Sequence, residues 1–292
     1  MNKSLYILMI PVIVYFVLFC YLPMFGIVMA FQNYKPALGF LGSHFVGFDH
    51  FIRFFKSRAF VDVLTNTLTI SVVSLLVGFP APILLALLLN EVKSAKFGKI
   101  VQNATYIPHF ISMVVACSII TLFTSSTGLI GAAYNAITGN TDNMLLHKET
   151  FIPIYVLSNI WQECGWGSII YLAALTGIDQ SLYEAAEVDG AGKFRKVISI
   201  TLPSILPTIV VMLIMRMGSM LSVGYEKILL LENPLTRDVS EVISTYNYRL
   251  AFGGGQQFSY SAAVGLFNTI VNLILVQTTN VISRKVNGYA LW

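Results

Sequence analysis

Apolar residues run in long uncharged stretches along most of the chain, separated by short polar segments. A bilayer core about 30 Å thick needs about 20 mostly apolar helical residues to cross it. Six stretches reach that length, at residues 5–31, 63–90, 100–123, 151–175, 200–221 and 260–283. They are apolar on all sides, whereas strands of a membrane barrel alternate in polarity over about 10 residues. The pattern therefore predicts an all-α membrane protein with six transmembrane helices, in a single domain over residues 1–292. Pro80, Pro82 and Pro108 lie inside spans and predict kinks, because proline removes a backbone donor and clashes one turn back.

Between the first two spans, Phe48, Phe51, Phe54 and Phe55 recur at helical spacing against Asp49, Arg53 and Lys56. This predicts an amphipathic helix at the outer membrane interface. The uncharged run from Ser4 to Tyr34 is longer than the apolar region of a signal peptide and predicts a retained anchor. The turn-rich pieces around Gly139 and Gly253–Gly255 predict short helices at the outer surface.

Composition agrees with a membrane protein. Of the 292 residues, 56 % are hydrophobic and 11 % charged, against about 25 % charged in soluble domains. A dispersed net charge of +4 lacks the clustered cations of a nucleic-acid footprint, so no nucleic-acid partner is expected. Cys20, Cys117 and Cys164 each sit in an apolar run, without metal-like spacing.

With six spans both termini share one side. Lys3, Lys93, Lys96, Lys99, Lys193, Arg195, Lys196, Arg284 and Lys285 fall on that side; Lys35, Arg53, Lys56, Arg58, Lys148, Lys227, Arg237 and Arg249 fall on the other. The first set is crowded into short segments beside helix ends, which places both termini in the cytoplasm.

Nothing in the sequence builds a catalytic or metal site. A phosphate-binding loop needs Gly, four residues, then Gly-Lys-Ser/Thr, but Gly192-Lys193 is followed by Phe194, and Glu187 stands where the first glycine belongs. His44, His50, His109 and His147 are far apart in sequence and define no zinc ligand set. His109 alone lies within a span, as a polar lining or a satisfied structural group. No serine elbow or His-Glu-x-x-His motif occurs.

The most charged stretch runs from Glu184 to Pro203, "EAAEVDGAGKFRKVISITLP". It predicts a short cytoplasmic helix with Ser181 as N-cap, Glu184 as its capping-box partner and Gly190 or Gly192 as the stop. Ala185 and Ala186 leave a smooth surface suited to a partner's groove.

Glu184, Ala185, Ala186, Gly190, Ile200, Leu202 and Pro203 match the Glu-Ala-Ala, three residues, Gly, nine residues, Ile, one residue, Leu-Pro signature of permease subunits of binding-protein-dependent ABC importers. The resemblance implies the type I importer (MetI-like) permease architecture and a coupling helix, within loop 177–199, that docks on a separate ATPase through Glu184, Ala185, Ala186, Asp189 and Gly190. It implies ATP and magnesium in that ATPase and no cofactor in this chain. The stretches "YLPMFGIVMAFQNYKPALGFLGSHFVGFDHF", "NPLTRDVSEVISTYNYRLAF" and "QFSYSAAVGLFNTIVNLILVQTTNVISRK" resemble the maltose-type carbohydrate group, and within it the oligo- and polysaccharide branch. The implied partners are a sister permease in a heterodimer, two ATPase subunits, an extracellular solute-binding protein and an oligosaccharide, in a bacterial cytoplasmic membrane. The large periplasmic insertion of one maltose-system subunit is absent.

Polar residues within spans tend to face a bundle interior or a water-filled path. On the fourth span Asn159, Gln162, Glu163 and Trp166 form one helical stripe. On the sixth, Asn268, Asn272 and Thr279 repeat the idea. With Trp161 and Tyr171 these side chains suit sugar hydroxyls and C–H faces; interhelical hydrogen bonding is the alternative. Arg216, in the fifth span, needs a partner or water. Glu163 is the intramembrane counterion that the sequence offers, and contact with an acidic sugar is the other reading. The alternatives are an ion-coupled secondary transporter, which usually shows repeated halves that this sequence lacks, and a polytopic membrane enzyme, for which the sequence offers no motif.

Overall fold

The computed structural model describes residues 3–291. Met1, Asn2 and Trp292, and with them the termini that the charge pattern assigns to the cytoplasm, lie outside the described residues. Among the described residues the regular structure is helical apart from one antiparallel pair of two-residue strands, Gln32–Asn33 against His44–Phe45. Its main helices are α1 (Tyr6–Phe31) and, at the expected amphipathic position, α2 (Asp49–Lys56). They continue with α3 (Arg58–Asn90), α4 (Ala95–Tyr106), α5 (Met113–Thr124) and α6 (Leu129–Thr138). Next come α7 (Lys148–Thr176), α8 (Gln180–Val188) and α9 (Lys193–Met217). The last are α10 (Tyr225–Leu231), α11 (Ile243–Phe252) and α12 (Phe258–Asn287).

Among the described residues, five helical runs are long and apolar enough to cross a bilayer: Tyr6–Phe31, Arg58–Asn90, Met113–Thr138, Lys193–Met217 and Phe258–Val286. α7 has the length, at 29 residues, but Asn159, Gln162 and Glu163 interrupt its apolar surface. The expected span 100–123 is not one helix. Pro108 lies in a tight turn at Ile107–Phe110, the chain extends at Ile111, and Ser112 then caps α5 by accepting from the Val115 N–H.

Three wide turns have a common cause. The segments Phe16–Tyr21, Ser74–Gly78 and Val197–Thr201 take π-helical spacing, and each precedes a proline, at Pro23, Pro80 and Pro203. A proline has no N–H and its ring meets the carbonyl one turn back, so the helix widens just upstream. The kink expected at Pro80 takes this form.

The chain packs as two units. The first joins residues up to Val61 with Tyr246–Ile270. Its centre is Phe54, fully buried among Phe60, Tyr246, Tyr260 and Phe267, with ring centroids 5.0–6.3 Å away. Arg53 sits 4.5 Å over the Tyr260 ring and donates to Gln257 Oε1 at 3.2 Å. Of the aromatic face of α2, Phe54 is packed inside this unit, while Phe48 and Phe55 stay exposed.

The second unit joins Asp62–Thr245 with the chain from Val271 onward. One apolar cluster gathers Ile70, Cys117, Phe151, Tyr155 and Ile228; another gathers Ile83, Ala86, Tyr171, Leu175 and Ile205. α7 passes through both. Gly165 lets it approach α4, because a Cβ there would stand 2.0 Å from the Thr105 carbonyl oxygen.

Candidate functional site: a cation-bearing cavity and an exposed helix

Within the second unit lies a cavity of about 590 Å³, in the size range of small-molecule sites. Helix α7 supplies Tyr155, Asn159, Glu163, Trp166 and Tyr171, α3 supplies Ser71 and Ser74, α9 supplies Arg216, and α10 supplies Lys227. Three of the sequence-predicted path residues, Asn159, Trp166 and Tyr171, therefore border one space.

The others lie elsewhere. Gln162, although in the same stripe, is buried and turns to the extended break, donating to the Ile111 carbonyl at 3.4 Å. Trp161 is 42 % exposed and is not on the cavity wall. Asn268 belongs to the first unit. Asn272 is buried and holds backbone: its Oδ1 accepts from the Leu221 N–H at 3.0 Å, and its Nδ2 donates to Ser222 Oγ at 3.0 Å.

Glu163 does not pair with Arg216. Its Oε2 lies 2.9 Å from His109 Nδ1, and the His109 ring stacks on Trp166 at 4.6 Å with planes 3° apart. The tight turn at Ile107–Phe110 carries His109 against α7, a conformation that helical spacing does not foreshadow. The Arg216 guanidinium has no ion-pair partner among the described residues, and its side chain borders the cavity.

Lys227 is the feature that sequence reasoning misses. Counted there as an outer-loop charge, it is 2 % exposed, donates from Nζ to Asn159 Oδ1 at 2.9 Å, and lies 5.7 Å over the Tyr155 ring. The apolar run Ile228–Leu231 immediately after it was the available signal, because it draws α10 into the core. The segment between α9 and α10 is fixed from several helices. Ser71 Oγ donates to the Met220 carbonyl at 2.5 Å, and Asn272 bonds both Leu221 and Ser222. Arg216 and Lys227 therefore flank a pinned turn.

The loop signature forms α8. Its N-cap is Asp179, not Ser181: the Asp179 carboxylate accepts from the Ser181 N–H at 2.9 Å, which leaves Ser181 in the first turn. Asp and Ser are equally good caps, and the extended backbone of Asp179, φ −64° and ψ 125°, decides between them. This hydrogen bond holds the Asp179 carboxyl below the usual range. Gly190 is the stop, with φ +73°; the Gly190 and Ala191 N–H groups donate to Glu187 and Ala186 carbonyls at 3.0 and 2.8 Å, the paired bonds of a glycine-terminated helix. Gly192 is instead extended and opens α9.

Glu184, Ala185, Asp189 and Gly190 are exposed and Ala186 partly so. Two contacts tie the helix to the start of α9. Tyr183 Oη and Thr201 Oγ1 are 2.9 Å apart, and Lys196 Nζ meets Glu187 Oε1 at 2.5 Å. Lys196 lowers the Glu187 carboxyl from its ordinary value through that bond and its charge.

Within the second unit, the bilayer-length helices α3 and α9 and the long helix α7 line a cavity bearing two basic side chains, and an exposed helix is fastened to the start of α9, an arrangement that fits a membrane permease. The comparisons specify it further. The chain is 49 % identical over 285 residues to the polygalacturonan/rhamnogalacturonan transport system permease protein YteP of Bacillus subtilis (strain 168), covering 97 % of this chain and 88 % of that protein. It superposes with a TM-score of 0.89 and 44 % identity on a chain of a bacterial ABC transporter involved in import of the acidic polysaccharide alginate, over 97 % of this chain and 96 % of that one. A structure of the bacterial alginate transporter with an alginate pentasaccharide-bound periplasmic protein matches with a TM-score of 0.89 and 43 % identity, covering 99 % and 96 % of the two chains. Residues 4–288 match the model of the binding-protein-dependent transport system inner membrane component, and the chain belongs to that family. It is a permease subunit of a binding-protein-dependent importer, not an enzyme of itself.

Proposed function

We propose that the chain is one of two permease subunits of an ATP-driven importer that passes an oligosaccharide, or a fragment of a polysaccharide, across the bacterial cytoplasmic membrane. An extracellular binding protein delivers the sugar. Two copies of a separate ATPase bind ATP and magnesium and supply the work. The names of the relatives, with pectic and alginate polysaccharides as their cargo, support the saccharide. The unburied apolar surface of α1 supports a sister permease and lipid as its surroundings. The crowding of Lys193, Arg195 and Lys196 beside α8 supports a cytoplasmic face there, with both termini on the same side.

One observation carries the reading: α8, exposed and tied at both Tyr183 and Glu187 to the start of α9, continues through α9 to Arg216 on the cavity wall. Docking of the ATPase on Glu184, Ala185, Ala186, Asp189 and Gly190 would move the cavity through this connection. The amides and rings of Asn159, Trp166 and Tyr171 offer the contacts a sugar uses.

The test is Gly190→Val, alongside a substitution of Glu184, in the assembled importer. A left-handed conformation costs a non-glycine residue about 1–2 kcal/mol, so ATPase recruitment and ATP-dependent uptake should fall about five- to thirtyfold while the chain still inserts. Unaltered recruitment and transport would overturn the coupling assignment. Uptake that survives ATP depletion but collapses with the proton gradient would favour an ion-coupled transporter.

A further inference from the structure

We infer that Arg216 and Lys227 form a carboxylate-recognition site inside the permease, which selects uronate-bearing saccharides over neutral ones during passage. This deepens the proposed function and rests on the cavity being the sugar's path.

The cavity wall carries two basic side chains, Arg216 and Lys227, and one carboxylate. The carboxylate, Glu163, is engaged by His109 at 2.9 Å. Arg216 has no ion-pair partner among the described residues, and its planar fork matches a carboxylate edge to edge. Lys227 has three N–H donors, of which Asn159 takes one. Asn159 and the Tyr155 ring hold its ammonium in place at 2.9 and 5.7 Å. A cation carried this deeply without a contacting anion is costly unless something supplies the charge. A passing carboxylate does so at each turnover.

A second observation points the same way. Ser74 Oγ is buried, has no hydrogen-bond partner among the described residues, and belongs to the cavity wall. Buried hydroxyls are normally bonded, so this one is left for a ligand group such as a ring hydroxyl. Trp166 and Tyr171 give the sugar's C–H faces apolar support on the same wall. The turn that carries the cations is pinned by Ser71 and Asn272, so the charges are placed before the ligand arrives and little ordering cost remains.

The test uses the complete importer in proteoliposomes, with its binding protein, and two probes: a galacturonate trisaccharide and the same trisaccharide carboxyl-reduced to galactose. The reduction replaces each carboxylate by a primary alcohol. Because the binding protein selects as well, equilibrium binding of both probes to the detergent-purified complex without it is measured in parallel. Arg216→Gln should weaken trigalacturonate binding and uptake about ten- to a hundredfold, the scale of a lost charge-assisted contact, and leave the neutral probe within about threefold. Arg216→Lys should recover part of the loss. Lys227→Gln, in a buried position, is scored only where the complex elutes intact, and should show the same selective loss. Equal loss for both probes, or equal binding of both by the unsubstituted complex, overturns the carboxylate site while leaving the saccharide permease standing. Import of the neutral probe but not of trigalacturonate by the unsubstituted complex overturns the site alone, whereas trigalacturonate uptake that survives ATP depletion overturns the ATP-driven function on which the site rests.

Discussion

A glycine can decide how close two helices come, and Gly165 does so for α7 and α4. The Thr105 carbonyl oxygen occupies the place a Cβ would need, at 2.0 Å, and the Thr105 carbonyl carbon lies at 2.3 Å. No flexible side chain tip is available to yield there, so Gly165→Ala must push backbone apart. Overpacking of this kind costs about 1–3 kcal/mol. A thermal melt of the detergent-purified complex should show Gly165→Ala several degrees less stable, whereas Gly192→Ala, at an open position, should melt with the unsubstituted protein. Equal melting of both variants would show that the two helices separate freely. Such tightness was not legible in the sequence, where Gly165 is one glycine among several in a span. Lys227 was hidden for a related reason: charge counting assigns a lysine between spans to water, and only tertiary contact with Asn159 and Tyr155 reveals the burial. Asn159 and Trp166 were legible because helical spacing aligns them, and Tyr171 because its ring suits a sugar face. Gln162 fits that stripe equally well, but the break at Ile111 offers its amide an unpaired carbonyl and draws it aside.

Among the elements, α8 was the most legible and its N-terminus the least. The Glu-Ala-Ala and Gly190 positions fall where the signature puts them, since only a left-handed glycine ends a helix with that pair of bonds. The start moved to Asp179 because caps are chosen by backbone conformation, which side-chain type suggests without fixing. This correction has a pH consequence. Asp179 and Glu187 both titrate below their ordinary values, through the Ser181 N–H and Lys196 respectively. A depressed folded value means the support is in place above the unfolded value, about 4, and is lost only as pH falls through the lower folded one. Between pH 5 and 8 both carboxylates stay ionised, so the ATPase docking proposed for α8 should not weaken through them. Binding measured by surface capture over that range should follow the ATPase's own titration. A step that Asp179→Asn or Glu187→Gln abolishes would contradict this. The third expected span shows the opposite case. Hydropathy reads Ile100–Phe123 as continuous, yet Pro108 and the Ser112 cap divide it, and that division is what brings His109 to Glu163.

At the scale of the molecule, the exposed helix and the cavity are joined by one element. α9 runs 25 residues from Lys193 to Met217, about 37 Å at the helical rise of 1.5 Å per residue. Its lower end is tied to α8 through Tyr183–Thr201 and Glu187–Lys196, and its upper end carries Arg216. Hydrogen-bonded helix transmits displacement along its axis, while a flexible segment dissipates it. The wide turn at Val197–Thr201, forced by Pro203, lies just where the push would enter, and the Tyr183–Thr201 contact splints that turn from outside. Two glycines inserted between Lys196 and Val197 would therefore do more than cost about 1 kcal/mol each in helix propensity. They would separate the two ties and rotate the coupling end by about 200° relative to the membrane end. On the proposed coupling, the ATPase should still bind through α8 and still hydrolyse ATP, but uptake should fall by at least about tenfold. Hydrolysis and uptake that decline together would instead mean that the rod is needed only to hold α8 in shape. Uptake that persists at full rate would mean that force reaches the cavity by another route, with Glu91, 3.5 Å from Lys193 at the end of α3, as the next contact to break.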